Sequence, residues 1–339
     1  MRSPLSRSHP PAALRSVAPD DWPLPLVGPS GAAGRARAAF ADAVRTDASA
    51  LIVADGGLDC DVVARAIHDR SRPGTPFVVI DCTATDAAAI ERDLFGTRRR
   101  AVAHADVDIV TPTSALLRVG RGTLYLNHVV ELPAAAQRRL ARILRDAEVG
   151  TARRRVRLRG RIVGSAPASV TAEVGDGHFR SDLFRRISQT CIAIPGLRER
   201  REDVPDLAAR VAAGLRKGAP QAFTQAALTV LSAAAWPGNL DELRAVLDRV
   251  LRAAPPGAVR QEDVLAHLPI DSAFTGVAPQ SSLREARRQF ERQYIASVLE
   301  RNDWSMSDAA RALGIERANL YRKTRQLGIV RRDGAPVAS

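Results

Sequence analysis

The sequence predicts an α/β fold built on a parallel sheet with flanking helices, then a small helical unit, then a separate all-α module. Three observations predict it. From Gly28 onward, apolar runs of strand length alternate with longer amphipathic stretches, the pattern of a layered sheet whose crossovers are helices. After Pro195 the strand-like runs stop and only helical periodicity continues. Between Ile270 and Ser282 a stretch of Gly, Pro, Ser and Gln breaks that periodicity, and such a composition reads as a linker.

In chain order, residues 51–54, 76–81, 123–127 and 161–165 are the best strand candidates, and 61–70 and 134–147 the clearest helices between them. The second unit reads as helices over 204–215, 224–234, 239–253 and 261–268, with a Pro/Gly break at 253–257 inside it. The expected division is a tail at 1–25, an α/β unit at 26–195, a helical unit at 196–269, a linker at 270–281, a separate helical module at 282–330 and a tail at 331–339. The first tail is rich in Pro, Ser and Arg and lacks the apolar stretch of a secretory signal. No sensory domain is expected ahead of the α/β unit, so the input is expected to be a partner, concentration or a pocket ligand.

Composition narrows the function classes. The chain has 339 residues, 45% hydrophobic and 26% charged, which fits a globular protein of two to three domains and excludes wholesale disorder. Arginines or aspartates interrupt every apolar run before it reaches membrane-spanning length. Cys60, Cys82 and Cys191 lie far apart, without metal-site or redox spacing, and a reducing cytoplasm is expected. Fifty basic residues face 37 acidic ones, a net charge of +13, which favours a polyanionic partner. Only Lys217 and Lys323 are lysines, a skew that GC-rich coding also produces.

The last module carries the sharpest signal. Leu283, Ala286, Phe290, Tyr294 and Val298 form a helical apolar stripe. Ser307 is expected to cap a helix over 308–313, Gly314 to supply a left-handed turn, and a second helix to run over 317–327 before Gly328. Small Ala309 and Ala310 allow close crossing, and Ile315, Leu320 and Leu327 are expected inside. Arg317, Ala318, Asn319, Tyr321, Arg322 and Arg325 are left outside. Arg and Asn can address guanine and adenine edges, while Lys323, Arg325 and Tyr321 can meet phosphates. The run from "LREARRQFERQYIASVLERNDWSMSDAARALGIERANLYRKTRQLGI" resembles a Fis-type helix-turn-helix domain. Glu316 stands where that family has a capping Ser and Thr324 where it has a core Leu. The resemblance implies a two-fold dimer on palindromic double-stranded DNA.

Taken together, "ERDLFG", "GTLYLNHVVELPAAAQRRLARIL", "FRSDLFRRI", "IPGLRERREDVPDLA" and "WPGNLDEL" resemble the AAA+ domain of sigma-54-dependent transcriptional activators, from about Leu26 to Leu268. That resemblance implies a ring, usually a hexamer, that hydrolyses ATP with magnesium and remodels the sigma-54 polymerase. The chemistry of individual residues argues the other way. In the phosphate loop, Gly56 and Gly57 remain, but Cys60 holds the lysine position and Asp59 replaces a glycine. Asp55, Asp59 and Asp61 bring negative charge to that loop. Two like charges about 4 Å apart repel by roughly 4 kcal/mol at an effective dielectric of 20, against about 0.3–1 kcal/mol of helix-dipole attraction.

By the same resemblance, the magnesium-organising Asp and the water-polarising Glu are here Asn127 and His128. Pro167, Asp241 and Asp81 hold the sensor Asn, lid Arg and switch Asn positions. Residues 100–105, "RAVAHA", hold the place of the GAFTGA loop that touches sigma-54. Arg180 and Arg186 match the two arginine fingers, and they can either complete a neighbour's site or merely hold an interface. Finally, 138–161 contains ten arginines and two acids, and Arg155, Arg157 and Arg159 alternate with Val156 and Leu158. Such a strand shows a basic face to DNA phosphates, to an acidic polymerase surface or only to solvent.

The sequence therefore leads to a DNA-binding transcription regulator with an inactive AAA+ scaffold, not an enzyme, needing no cofactor, forming a dimer or higher oligomer, with DNA and RNA polymerase or a related activator as partners. The alternatives are an ATP-dependent sigma-54 activator and a non-catalytic subunit of a mixed ring.

Overall fold

The computed structural model describes residues 22–84, 86–96, 109–151, 154–216, 222–254, 257–269 and, within 294–329, all but 297, 300, 301, 303, 315, 316 and 328. The expected linker, most of both tails and the loop at 100–105 lie outside the described residues.

The strands are β1 (Ala50–Ala54), β2 (Phe77–Asp81), β3 (Thr123–Asn127), β4 (Glu148–Gly150), β5 (Arg155–Arg157), β6 (Arg161–Ala166) and β7 (Thr190–Ile194). Five form one sheet in the order β2-β3-β6-β1-β7, and every pairing in it is parallel. A parallel sheet is covered on both faces, so its strands are continuous apolar runs. In β3, Leu124 and Leu126 enter one core while Tyr125 enters the other, as a period of two requires. The helices of this unit are α1 (Gly31–Arg45), α2 (Cys60–Ser71), α3 (Ala87–Phe95), α4 (Ala115–Arg118), α5 (Ala134–Asp146), α6 (Val170–Gly175) and α7 (Ser181–Ile187).

The four expected strands and both expected helices are present within one or two residues of their expected bounds. β7 and α1 were not anticipated. β7 is TCIAI, with Cys191 and Ala193 exposed and only Ile192 and Ile194 buried, so it lacks the continuous apolar run expected of a parallel strand. α1 opens on Gly31 and carries Gly34, which weaken a helix on propensity alone. Here burial of Ala33, Ala36, Phe40 and Ala43 decides. The packed body also reaches into the segment expected as a tail: Trp22 meets Phe40 edge to face, with ring centroids 5.8 Å apart.

The second unit consists of α8 (Val204–Leu215), α9 (Gln225–Ala233), α10 (Asn239–Ala253) and α11 (Gln261–Leu265), the last shorter than expected. Leu243, Val246, Leu247 and Val250 of α10 join the same core as Ile52 and Ile67, so this lid is packed against the sheet unit. A buried ion pair locks the junction. Asp203 accepts hydrogen bonds from Ser30 N and Oγ, both 2.7 Å, and lies 3.8 Å from Arg200, both side chains being fully buried. Arg200 also donates to Pro25 O at 2.6 Å. Burial lowers its pKa, against the pull of Asp203. Gly28 is required beside them, because its φ is +126° and a Cβ there would lie 2.1 Å from Asp203 Cγ.

The last module contains α12 (Met306–Leu313) and α13 (Arg317–Leu327), preceded by helical residues at 294–296 and 298–299. Its own core includes Ile295, Leu299, Met306, Leu320 and Leu327. Among the described residues, no helix is long and apolar enough to cross a membrane.

Removing one partner of a buried pair leaves the other charge uncompensated, which costs about 3–5 kcal/mol. Asp203→Ala is therefore expected to lower the urea midpoint by that equivalent, and a loss below about 1 kcal/mol would show that Arg200 finds another partner.

Candidate functional site

The C-terminal ends of β1, β2, β3 and β6 meet along one edge of the sheet, where open α/β sheets bind ligands. β1 runs into the loop Asp55–Asp59, and α2 starts at Cys60. Gly57 has φ +77°, and a Cβ on it would lie 2.3 Å from Gly238 O, so only glycine lets lid and loop meet this closely. Asp59 takes the left-handed region at φ 45°, a strained choice for a residue with a side chain.

The lid is fastened to this loop. Asn239 Nδ2 donates to Gly56 O at 2.8 Å, and Asn239 Oδ1 accepts from Leu197 N at 2.9 Å. Asp241 N donates to Gly57 O at 3.2 Å. Between loop and lid lies a hollow of about 390 Å³, lined by Asp55, Gly56, Arg198, Trp236, Pro237, Gly238 and Asn239.

Charge at the loop is more balanced than the sequence suggested. Arg244 binds Asp59 at 2.7 Å and Asp241 at 3.2 Å. Asp241 occupies the lid-arginine position, and a guanidinium returns three residues later, which on a helix is the same face. That spacing was readable in the sequence and was missed, as were Arg198 and Asn239. Cys60 is half-buried. Burial first, then Asp61 and Asp59, push its thiol up to about 12, so it is a neutral group where a lysine was expected by resemblance.

At the end of β3, Asn127 Oδ1 accepts from Tyr125 OH at 3.0 Å and from Ser165 Oγ at 2.8 Å. The amide is thus held by its own strand and by β6. His128 is exposed, with φ 52°, and its N–H donates to Ser165 Oγ at 2.9 Å. Asp81 lies in register with Asn127. Thr83, through its N–H and hydroxyl, holds the Asp81 carboxyl below its ordinary value.

These groups fit a nucleotide and a magnesium ion unequally. The glycine loop, the free N-terminus of α2 and the cleft walls suit a nucleotide's phosphates and base, with Arg198 lining the hollow and Arg244 beside Asp59. At the second motif Asn127 is neutral and its oxygen is already engaged by Tyr125 and Ser165, so the carboxylate nearest in register is Asp81.

Just before α7, Arg180 grips Asp182 with two bonds of 3.0 and 2.9 Å, and its N–H donates to Gln137 Oε1 at 3.0 Å. Gln137 is buried, so the start of α7 is tied to α5. A hollow of about 380 Å³ is lined by Arg138, Arg142, Arg145, Arg180 and Arg186 with Ala141 and Asp182. The structure thus brings both finger positions together with three further arginines.

In the helix-turn-helix, Gly314 takes φ 66° as expected and α13 spans the expected residues. The cap is corrected. Ser305, not Ser307, accepts from Asp308 N, and Ser307 sits exposed within the first turn of α12. The sequence reading placed the helix start two residues late, since Met306 enters the core. Leu320 and Leu327 are buried, and Arg317, Tyr321 and Arg322 are exposed. Lys323 is half-buried. Thr324 is buried, and its hydroxyl turns back to Tyr321 O at 2.9 Å, which lets a polar residue stand in a core position. The side chains of Ala318, Asn319 and Arg325 lie outside the described residues.

Fold and sites together define a P-loop-type AAA+ body with its lid, joined to a helix-turn-helix. Residues 26–193 match the sigma-54 interaction domain, 198–275 the AAA+ ATPase lid domain, and 286–329 the bacterial regulatory protein, Fis family. The nitrogen assimilation regulatory protein NtrX of Azorhizobium caulinodans is 32% identical, over 91% of this chain and 70% of that protein. The crystal structure of NtrX from Brucella abortus in complex with ADP has a TM-score of 0.65 and 30% identity, over 89% of this chain and 70% of that one. Its complex with ATP gives 0.65 and 29%, over 89% and 69%. The chain belongs to the sigma-54-dependent transcriptional regulator family, a family of DNA-binding AAA+ proteins.

This corrects the expectation that the chain is not an enzyme. The family's body is an ATPase, and NtrX structures hold ADP and ATP. The inference from missing side chains gave too little weight to the backbone cradle and to Arg244.

The thiolate is the form that attacks an alkylating agent. With the Cys60 thiol near 12, roughly one molecule in ten thousand is ionised at pH 8, against about a quarter for a free thiol at 8.5. Iodoacetamide should label Cys60 at least about a hundredfold more slowly than free cysteine at pH 8, with the rate rising about tenfold per pH unit to pH 10. A rate close to that of free cysteine would contradict the burial and charge around it.

Proposed function

We propose that this chain is an ATP-dependent, sequence-specific DNA-binding regulator of transcription by the sigma-54 polymerase, working in the cytoplasm as an oligomer. The single observation that carries the reading is the cleft itself: a glycine loop at the end of β1, the start of α2 and the lid converge on one hollow, in a chain whose relative NtrX is seen with ADP and ATP.

In this reading the loop N–H groups and the N-terminus of α2 take the phosphates. Arg198 brings positive charge to the hollow and Arg244 offsets Asp59 and Asp241, while Cys60 supplies none. ATP, when bound, supplies the phosphoryl group whose loss drives change of shape. The chain's own part is to hold the lid against the loop through Asn239 and to present Arg180, just before α7, and Arg186, on α7, toward a neighbouring copy. Asn127, being neutral, adds no charge for a magnesium ion. α13 reads the operator, with Arg317 and Arg322 exposed for base edges or phosphates.

One observation favours a second reading. Cys60 stands at the lysine position while Arg180 and Arg186 remain, as expected of a subunit that completes the site of a hydrolysing partner in a mixed ring.

Phosphate release and ATP binding by the purified chain, alone and mixed with a hydrolysing relative, separate these readings. The first expects saturable binding and turnover by the chain alone, with affinity rising about tenfold or more in Cys60→Lys, a gain of about 1.4 kcal/mol from one charged contact. The second expects stimulated turnover only in the mixture, abolished by Arg180→Ala. Neither binding nor stimulation would overturn both. On DNA, Arg317→Ala should lower the preference for operator over random duplex by about 5- to 150-fold, the worth of one base contact.

A further inference from the structure

The arginine-rich stretch at 138–161 folds into two parts, and the second forms a surface used by neither the cleft nor the helix-turn-helix. β4 and β5 pair antiparallel, with Glu148 opposite Arg157, Val149 opposite Val156 and Gly150 opposite Arg155. Val149 is buried, and Val156 and Leu158 pack against the core under α5. The strand period then turns Arg155 and Arg157 outward, and Arg159, two residues past the end of β5, is exposed with them.

The base of this hairpin is pinned. One guanidinium nitrogen of Arg72 donates to Arg121 O at 2.6 Å, Gly122 O at 2.8 Å and Arg159 O at 3.1 Å, while Asp47 pairs with Arg72 at 2.9 Å. Arg159 is thereby fixed next to Arg121, which is also exposed. Among the described residues no carboxylate forms an ion pair with Arg121, Arg155, Arg157 or Arg159, and the acid facing this row is Glu148, across from Arg157.

We propose that this arginine-edged hairpin, with Arg121, is a second DNA contact that grips the phosphate backbone of duplex DNA without reading bases. The proposal rests on the DNA-binding reading and adds a second footprint to it. Alternate residues of a strand recur about every 6.8 Å, a spacing comparable to that between neighbouring phosphates along the winding backbone of one DNA strand. Successive arginines therefore match successive phosphates. Guanidinium groups bind phosphate oxygens in pairs, in a geometry lysine cannot copy. The exposed tips carry no aromatic ring, so the row offers no platform for unstacked single-stranded bases. It also lacks the apolar centre on which a specific protein interface depends.

The test is the salt dependence of duplex binding by the full chain, followed by fluorescence anisotropy. Two duplexes are used, one recovered by in vitro selection and one of random sequence. The variant combining Arg155→Ser, Arg157→Ser and Arg159→Ser should lower the slope of log K against log salt by about 2 to 3, three phosphates at about 0.9 each. The affinity ratio between the two duplexes should not change. Arg317→Ala should instead lower that ratio. If the triple variant fails to fold by circular dichroism, Arg157→Ser alone should lower the slope by about one. DNA binding with an unchanged slope would overturn this proposal and leave the helix-turn-helix reading intact. An unchanged slope with loss of polymerase binding would overturn it in favour of an acidic protein partner. No DNA binding by the unmodified chain would overturn both.

Discussion

The contact between the lid and the glycine loop sets the character of this molecule. The Asn239 side chain uses both ends of its amide, one on Gly56 O and one on Leu197 N, and Arg244 closes on Asp59 beside it. Because the loop's partners for Asn239 and Asp241 are backbone groups, the loop is held in register with the lid largely through its main chain, with glycine required at 57. The tight meeting of Gly57 with Gly238 is possible only in this arrangement. The shape of the cleft, the position of Arg198 and the electrostatic surroundings of Cys60 all follow from it.

That constraint also explains how so many altered side chains coexist with a family fold. An acid at 59 would be costly beside phosphates if unpaired, but it is paired. Asp241 removes a guanidinium from one position of α10 and Arg244 returns it one turn later. At the second motif the exchange is different in kind. Asn127 is tied to Tyr125 and Ser165, which preserves the backbone geometry at the end of β3 while giving up a charge. Local hydrogen bonding, more than charge, carries the architecture of the sheet edge.

Much of the fold was legible in the sequence because parallel strands and lid helices write their burial directly into apolar spacing. β3 and α13 were readable to the residue. What escaped was decided by tertiary packing: α1 is a glycine-bearing helix held by Phe40 and three alanines, and β7 is a short edge strand that buries only Ile192 and Ile194. The helix cap falls at Ser305 and not Ser307 because the helix starts at Met306, a core residue. At the site, the residue types at 55–61 were legible, but their pairing was not. Arg244 lies 185 residues from Asp59 along the chain, and nothing local in the sequence announces that the two meet. Judging the site from residue types at the loop, the second motif, the sensor and the lid led to an inactive scaffold; the pairing of Arg244 with Asp59 and the backbone contacts of Asn239 are what that reading lacked.

The most direct measurement of the central claim is a double-mutant cycle on unfolding free energy with Asp59→Ala, Arg244→Ala and the pair. A part-buried ion pair that fastens lid to loop should show a coupling of about 1 kcal/mol, diminished at high salt. Strict additivity of the two single changes would contradict the account, since it would mean that Arg244 and Asp59 add nothing to the joining of lid and loop.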